Sequence, residues 1–264
     1  MADNFNILDF SGGFDESSDP VIIGENAAGA GTSSVAIGKN SDAKEFGNIA
    51  IGLSSLAGQT SEGLTELYAI SLGYNSKGYE SGSIAIGDTA IAGDSAGSGT
   101  AESIAIGTDA YSVGRYAVAI GSLSFAYERS CISIGRSASA GSTDHGTTEQ
   151  YAIGIGENSL ANKLGSICIG FSTRTTGNYG ISIGHNSDST AAEAIAIGKD
   201  IAVSTANTFN LGFGGAVAIG ANKTTTAGET RLLVYDVDNA TVEQVSVGAN
   251  DSGGSGFKVL RIPN

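Results

Sequence analysis

The chain has 264 residues with 13 basic and 27 acidic side chains, and its formal net charge is −14 at pH 7. This surplus of negative charge disfavours nucleic acids and anionic membranes as partners, because both would repel it. The 40 glycines and 2 prolines lack the every-third-residue glycine of collagen, and together with persistent aliphatic pairs they indicate tight turns between short strands rather than disorder.

Residues 1–20 form a segment of their own, which mixes aromatic and aliphatic side chains with acidic ones. The segment begins acidic with no apolar run after it, so no secretion signal is predicted, and no transmembrane helix is predicted anywhere in the chain. Its apolar side chains are too many for a plain solvated tail. Two interpretations follow: a cap over the first repeat, or an arm that attaches to a partner through residues such as Phe5 and Phe10.

Residues 21–220 repeat a short motif whose clearest copy is Ser83-Ile84-Ala85-Ile86-Gly87. For most pairs the motif glycine recurs after 14 residues, and at three places the step is 20 or 21. A fixed period with occasional insertions predicts a solenoid, in which each unit stacks only on its neighbours. The motif glycines are Gly24, Gly38, Gly52, Gly73, Gly87, Gly107, Gly121, Gly135, Gly156, Gly170, Gly184, Gly198, Gly212 and Gly220.

The residues one and three positions before the glycine are aliphatic, as in Val35 and Ile37, and the residue between them is nearly always small. Large-small-large is a period of two, which predicts a β-strand with one apolar face and one tightly constrained face. A solvent-facing position would accept Lys, Glu or Thr, so the small residue is expected to meet something that packs closely against it. The aliphatic pair is expected to face a thin core.

Three and five residues after the glycine the side chains are small again, as in Ser41 and Ala43, while the residue between them varies freely. This spacing predicts a second short strand, whose small side chains face the aliphatic pair of the first strand. Two strands per 14 residues make an all-β, flattened parallel β-roll with coils about 4.8 Å apart. Ile201 and Val203 replace the usual small pair, so the roll is expected to widen or end around residues 199–220.

Three insertions interrupt the repeat at one phase, near residues 59–67, 93–102 and 141–150. Because the phase is the same, they are expected to leave one edge of the roll as rows of polar loops. Loops on a rigid scaffold often carry binding residues, so Glu62, Thr65, Asp94, Asp144 and His145 are candidates for contact with a host surface glycan. The alternative is a tolerated surface insertion with no ligand.

Residues 221–264 leave the repeat and predict a small β-hairpin region, with two strands around a turn at residues 236–240. A Ser-Gly-rich stretch then precedes a final strand. Phe257, Leu260 and Ile262 on that strand are candidates for closing a trimer or attaching it to a larger particle.

The sequence predicts no enzyme activity, no cofactor and no metal site. His145 and His185 are the only histidines, and no motif supplies the mutual geometry that a nucleophile and a base need. Cys131 and Cys168 lie in different phases of the repeat, so they are predicted to be reduced thiols packed in the fold rather than a disulfide.

Several aromatic side chains recur near the predicted strand edges, and they allow two interpretations. Packing between coils or between chains is favoured, because aromatic rings readily fill such seams, and platforms for stacking on sugars are the alternative. The residues are Tyr79, Tyr111, Tyr116, Phe125, Tyr127, Phe171 and Tyr179.

The repeat over residues 21–220 resembles the head repeat of trimeric adhesins of the YadA-like type. This resemblance implies a left-handed parallel β-roll in which three chains pack side by side as a homotrimer. In such a trimer the small residue between the two aliphatic residues is hypothesised to be the point where neighbouring chains approach. The corresponding positions are Ala36, Ala50, Ala85, Ala105, Ala119, Ser133, Cys168, Ser182 and Ala196.

The last 35 or so residues resemble the C-terminal segment of virion proteins from tailed phages, in which a hairpin precedes a closing Leu-Arg-Ile-Pro-Asn. The sequence is therefore interpreted as a non-enzymatic, trimeric fibre or decoration protein on the phage surface, made in the host cytoplasm. Its expected partners are itself, other virion proteins and a host surface glycan. The alternatives are the passenger head of a bacterial trimeric adhesin and, as a third class, a tailspike that cleaves polysaccharide.

Overall fold

A computed structural model describes residues 20–58, 67–94, 102–141 and 150–212. All of them lie in the first of two units into which the chain divides after Gly215. The expected N-terminal arm, the C-terminal hairpin region and their candidate attachment residues Phe5, Phe10, Phe257, Leu260 and Ile262 lie outside the described residues.

The described residues form 25 short parallel strands and no helix, which confirms the all-β solenoid expected from the repeat. The strands alternate between two sheets, so that each coil of the chain contributes one strand to each sheet. The first sheet contains 13 strands: β1 Val21–Ile23, β3 Val35–Ile37, β5 Ile49–Ile51, β7 Ile70–Leu72, β9 Ile84–Ile86, β11 Ile104–Ile106, β13 Val118–Ile120, β15 Ile132–Ile134, β17 Ile153–Ile155, β19 Ile167–Phe171, β21 Ile181–His185, β23 Ile195–Lys199 and β25 Phe209–Gly212. The second sheet contains 12: β2 Ala28–Gly29, β4 Asp42–Ala43, β6 Leu56–Ala57, β8 Lys77–Gly78, β10 Ile91–Ala92, β12 Tyr111–Ser112, β14 Phe125–Ala126, β16 Ser139–Ala140, β18 Leu160–Ala161, β20 Arg174–Thr175, β22 Asp188–Ser189 and β24 Ala202–Val203.

The strand register follows the sequence period without a slip. Val118 pairs with Ile132 and Ala119 with Ser133, each 14 residues on. Register is kept across the insertions as well, since Ile132 pairs with Ile153 on the far side of the third one. Equivalent residues therefore form columns along the roll. Each strand pairs through backbone hydrogen bonds with the strands of the coils before and after it, so only the strands at the two ends of the roll have an unpaired edge.

The interior of the roll is only one small side chain thick. The small residues of both strands point inward, and core alanines such as Ala119 and Ala126 have no exposed surface. Side chains cross this interior directly to the opposite sheet: Thr175 Oγ1 donates to the carbonyl of Ile167 at 3.1 Å, and Ser182 Oγ donates to the carbonyl of Arg174 at 2.9 Å. A core of this thickness has no room for a leucine or isoleucine.

The expected orientation of the first strand is therefore wrong, while that of the second strand is confirmed. The aliphatic pair points outward, and the small residue between the two points into the core. The nine positions assigned to contacts between chains are all buried inside a single roll and leave no side-chain surface for a neighbour. They are Ala36, Ala50, Ala85, Ala105, Ala119, Ser133, Cys168, Ser182 and Ala196, each 0 % exposed.

The roll continues through the region where widening or termination was expected. Strands β23, β24 and β25 keep the same register, with Ile195 paired to Phe209. Val203 takes a core position at 2 % exposure and packs near Ala194 and Ala196, while Ile201 is half-buried beside them. The change in sequence is therefore a local enlargement of the core rather than an end of the described roll.

The turn after each first-sheet strand, which we call the first turn, places one residue in the left-handed region of φ. In the coils that the structure describes, these residues are Asn, Asp, Ser or Thr, except for Leu123 at φ 56°. Asn and Asp tolerate this conformation because their short polar side chains can hydrogen-bond locally, whereas leucine gains nothing comparable there. Leu123 is also 42 % exposed, so burial offsets little of the cost.

Replacing Leu123 with Asn is expected to raise the free energy of unfolding by about 1 kcal/mol, because the backbone strain of a branched residue at positive φ is relieved. Chemical unfolding followed by circular dichroism measures the change. Ser137→Asn, at the equivalent turn one coil on, is the matched control and is expected to change stability by less than about 0.5 kcal/mol. A loss of stability in Leu123→Asn would show that the leucine side chain contributes contacts that outweigh the strain.

Candidate interaction surfaces

The outer surface of the first sheet carries two columns of aliphatic side chains, which we call the aliphatic face. Its central strands contribute Val118, Ile120, Ile132 and Ile134, all half-buried or exposed in the single chain. Exposure is 36 % at Ile134 and rises to 59 % at Phe209, on the last strand. An apolar surface that runs uninterrupted over 13 strands is much larger than the scattered apolar residues of an ordinary monomer surface.

The outer surface of the second sheet is mixed and carries one aromatic cluster. Tyr111 and Phe125 are register partners with ring centroids 6.4 Å apart, and Tyr127 stacks parallel to Phe125 at 5.6 Å. Burial raises the pKa of the Tyr111 hydroxyl, with smaller contributions from Asp94 and Tyr79. Packing between coils, one of the two interpretations from sequence, is therefore what the structure shows for these rings.

Of the five loop residues expected to bind a ligand, only Asp94 is described. It is half-buried at the start of the second insertion and interacts electrostatically with Tyr111 rather than standing apart in a loop. Glu62, Thr65, Asp144 and His145 lie outside the described residues. The described flanks do show that the insertions follow second-sheet strands at equivalent positions, because Gly58, Gly93 and Gly141 occupy the same place after β6, β10 and β16.

Two buried glutamates mark the coils that precede insertions, and the sequence analysis missed them. Glu80 is 1 % exposed and Glu128 is 8 % exposed. A side chain added at Gly93 or Gly141 would lie about 3.0 Å from the backbone nitrogen of Glu80 or Glu128 respectively, which places each glutamate against the point where an insertion leaves the roll. The sequence does contain this pattern. Glu45, Glu80 and Glu128 stand 14 residues before positions 59, 94 and 142, which are the first or second residues of the three insertions.

The position of these glutamates is held by other residue types in coils that stack regularly. At the equivalent position in Gly114 and Gly177, an added side chain would lie 2.0 Å and 1.9 Å from the backbone carbonyl oxygen of the next coil. Glycine therefore fits the close stacking at these two positions. Lys163 and Ala191 occupy the equivalent position in other regularly stacked coils, so stacking alone does not exclude a side chain there.

Both cysteines are buried in the core and neither forms a disulfide, as predicted. Cys168 Sγ lies 3.0 Å from Thr175 Oγ1 and 3.0 Å from the carbonyl oxygen of Leu160, to either of which it can donate. Burial raises the pKa of both thiols to about 11, although hydrogen bonds act in the opposite direction. The thiols are therefore protonated at neutral pH and are poor nucleophiles.

Within the part of the chain that the structure describes, no three His, Cys, Asp or Glu side chains come together in a way that could hold a metal ion. His185 stacks on Phe171 with ring centroids 5.2 Å apart, and its Nδ1 lies 3.9 Å from a carboxylate oxygen of Asp200. None of the described segments contains a helix long and apolar enough to cross a bilayer.

Comparison with known proteins supports the YadA-like reading of the repeat. A family model described as the YadA head domain repeat matches residues 101–124 and 176–200, which include β11 to β13 and β21 to β23. The crystal structure of the collagen-binding domain of the Yersinia adhesin YadA is similar over 84 % of this chain and 93 % of that chain, with 21 % identity and a TM-score of 0.34. No curated protein matches the chain. The described unit is thus a parallel β-roll that contains repeats similar to those of YadA heads.

Proposed function

We propose that this chain is the non-enzymatic head of a trimeric adhesin displayed on a bacterial cell surface. The proposal rests mainly on the aliphatic face. An apolar surface that extends over so many stacked coils is expected to be covered by a partner of matching length. A second and a third copy of the same rod supply that match in every coil. The matches to YadA head repeats support the same conclusion.

In the proposed trimer the three aliphatic faces meet around a common axis. The aliphatic residues then form a shared core between chains, while the small residues form the separate core within each chain. The second sheet lies on the opposite side of each thin roll and remains available to solvent and to ligands. The net charge of −14 per chain favours solubility of the assembled particle.

We do not propose that the chain is a phage virion protein. It depended on the resemblance of residues 221–264 to phage proteins, and those residues lie outside the described part of the chain. The comparisons give a virion role no support, whereas they do support the adhesin reading that was its alternative.

Replacing Ile120 with Asp on the aliphatic face is expected to weaken self-association by on the order of 100-fold, because burying an unpaired charge at each interface costs about 3 kcal/mol or more. Light scattering over a dilution series measures the mass. Leu160→Asp places the same charge on the outer face of the second sheet and is expected to leave the mass unchanged. If Ile120→Asp keeps its native circular dichroism and an unaltered mass, the aliphatic face is not the interface.

Immunogold labelling with an antibody raised against this chain tests the cellular role. We expect label on the outer surface of intact cells of the source bacterium. Label confined to phage particles released from those cells would contradict the proposal and restore a virion role.

A further inference from the structure

The turn that follows each second-sheet strand, which we call the second turn, presents exposed tyrosines along one edge of the roll. Like the first turn, it places one residue per coil in the left-handed region of φ. In the described coils, four of these residues are tyrosines, with φ between 56° and 63°, and no aromatic residue takes the equivalent place in the first turn. They are Tyr68, Tyr116, Tyr151 and Tyr179, and their exposures are 59 %, 39 %, 52 % and 55 %.

These tyrosines are costly where they stand. A bulky side chain at positive φ is disfavoured, and the other turn of the same coils uses Asn, Asp, Ser or Thr instead. Three of the four tyrosines are also more than half exposed, so burial recovers little of this cost. Residues with strained backbone conformations cluster at functional sites, and the positive φ of these four tyrosines is such a strain.

One edge of the Tyr179 ring contacts the preceding coil, and 55 % of the residue's surface is exposed. A side chain added at Gly165 would lie 2.8 Å from Cδ1 of Tyr179, so the ring packs against the glycine. The same arrangement holds for Tyr68 over Gly47. Tyr116 differs, because the guanidinium carbon of Arg115 lies 4.6 Å from its ring centroid and covers one face.

A shallow depression of about 550 Å³ is lined in part by Asn178, the residue before Tyr179 in the chain. It spans three successive coils, and the residues Leu164 and Asn178 in its lining directly precede Gly165 and Tyr179. The lining offers an ammonium group, an amide and two hydroxyls beside small apolar groups. Its side chains are Lys163, Leu164, Thr176, Asn178, Thr190 and Ala192.

We infer that an oligosaccharide binds in this depression, with one sugar ring against the exposed part of the Tyr179 ring. The apolar C–H side of a sugar suits an aromatic ring, and its hydroxyls suit the polar groups of Thr176, Asn178 and Thr190. Tyr151 lies two coils away, about 9.6 Å along the roll, and provides a second ring for a linear saccharide that runs parallel to the axis. The depression lacks the deep apolar pocket that an anchoring protein side chain would need, and its isolated rings differ from the continuous aliphatic face that suits another copy.

The inference deepens the proposed adhesin function by naming its ligand class, and three copies of one weak site in a trimer would raise avidity. An array of printed hexose, amino-sugar and uronic-acid oligosaccharides, probed with the full-length assembled protein, tests it. Tyr179→Asn removes the ring and keeps a residue that accepts positive φ. Tyr116→Asn makes the same change in the same turn, where Arg115 already covers the ring.

The wild-type protein is expected to retain at least one class of oligosaccharide. Tyr179→Asn is expected to weaken that binding roughly tenfold or more, and Tyr116→Asn to bind as the wild type does. Three results would overturn the inference: no binding by the wild type, equal binding by Tyr179→Asn, or a change of oligomeric mass in Tyr179→Asn that reveals a contact between chains. Immunogold labelling tests the location of the protein independently of the saccharide array. If the label were found only on virions while the array showed binding that depends on Tyr179, the adhesin role would be contradicted and the saccharide site would stand.

Discussion

Gly121→Ala is expected to lower the free energy of unfolding by at least about 3 kcal/mol, one of the two largest effects that we predict for a single substitution. Gly121 has a φ of +130°, which disfavours any side chain. An added Cβ would also lie 2.5 Å from the carbonyl oxygen of Gly135 in the next coil. Neither atom can move aside, because Gly135 is stacked in the same way on Gly156. Guanidinium unfolding followed by circular dichroism measures the loss.

Gly82→Ala separates the two causes of this effect. Gly82 also has positive φ, at +66°, but the nearest atom to an added Cβ is Cγ of Glu102 at 3.2 Å, which belongs to a side chain that can rotate away rather than to the backbone. Its expected cost is about 1 kcal/mol, from the backbone conformation alone. Equal losses in the two variants would mean that contact between stacked glycines is not what limits this position.

Ala119→Leu is expected to destabilise the single roll by about 3 kcal/mol, the upper part of the range for overpacked cores. Ala119 is fully buried and pairs in register with Ala105 and Ser133. The interior is bridged by side chains as short as serine, so a leucine must push the two sheets apart. Thermal and chemical unfolding of the variant measure the effect.

Ser139→Leu is the matched control for the leucine substitution. Ser139 points outward between Phe125 and Leu160, two large apolar neighbours in register with it. Its replacement is expected to change stability by no more than about 0.5 kcal/mol. If Ala119→Leu instead dissociates the assembly while each chain stays as stable as before, the small residues face a neighbouring chain and the assignment of the core is wrong.

The architecture could be predicted from sequence because its cause is periodic. The glycine every 14 residues marks the same turn in every coil, and strand register follows from it even across insertions, as the pairing of Ile132 with Ile153 shows. The inward direction of the second strand was also predictable. Its two small residues flank a position that varies freely, and free variation is typical of a surface.

The direction of the first strand could not be predicted from alternation alone. A period of two distinguishes two faces but does not say which one is inside. The usual preference for burying isoleucine predicts the wrong orientation for the first strand. Most inward positions of the second strand are Ala, Ser, Gly or Thr, so the two sheets lie too close together for an isoleucine side chain to fit between them. Ile120 faces outward for this reason, and the size limit at Ala119 comes from the opposite sheet rather than from a second chain.

The candidate surfaces were less predictable than the fold. The aliphatic face becomes evident once the orientation of the first strand in each coil is known. The exposure of the tyrosines depends on the backbone conformation of the second turn, which the sequence does not display. Tyr179 and Tyr116 look alike in the repeat. Only the structure shows that Arg115 covers the ring of Tyr116, whereas Asn178, next to Tyr179, lines a depression.

The mass of the unmodified full-length chain in solution tests the central claim most directly, because the proposed adhesin head requires three chains joined through their aliphatic faces. Light scattering coupled to size-exclusion chromatography is expected to give three times the 26.3 kDa of one chain, unchanged on dilution. A folded particle with the mass of a single chain would contradict the account, since the aliphatic face would then remain uncovered.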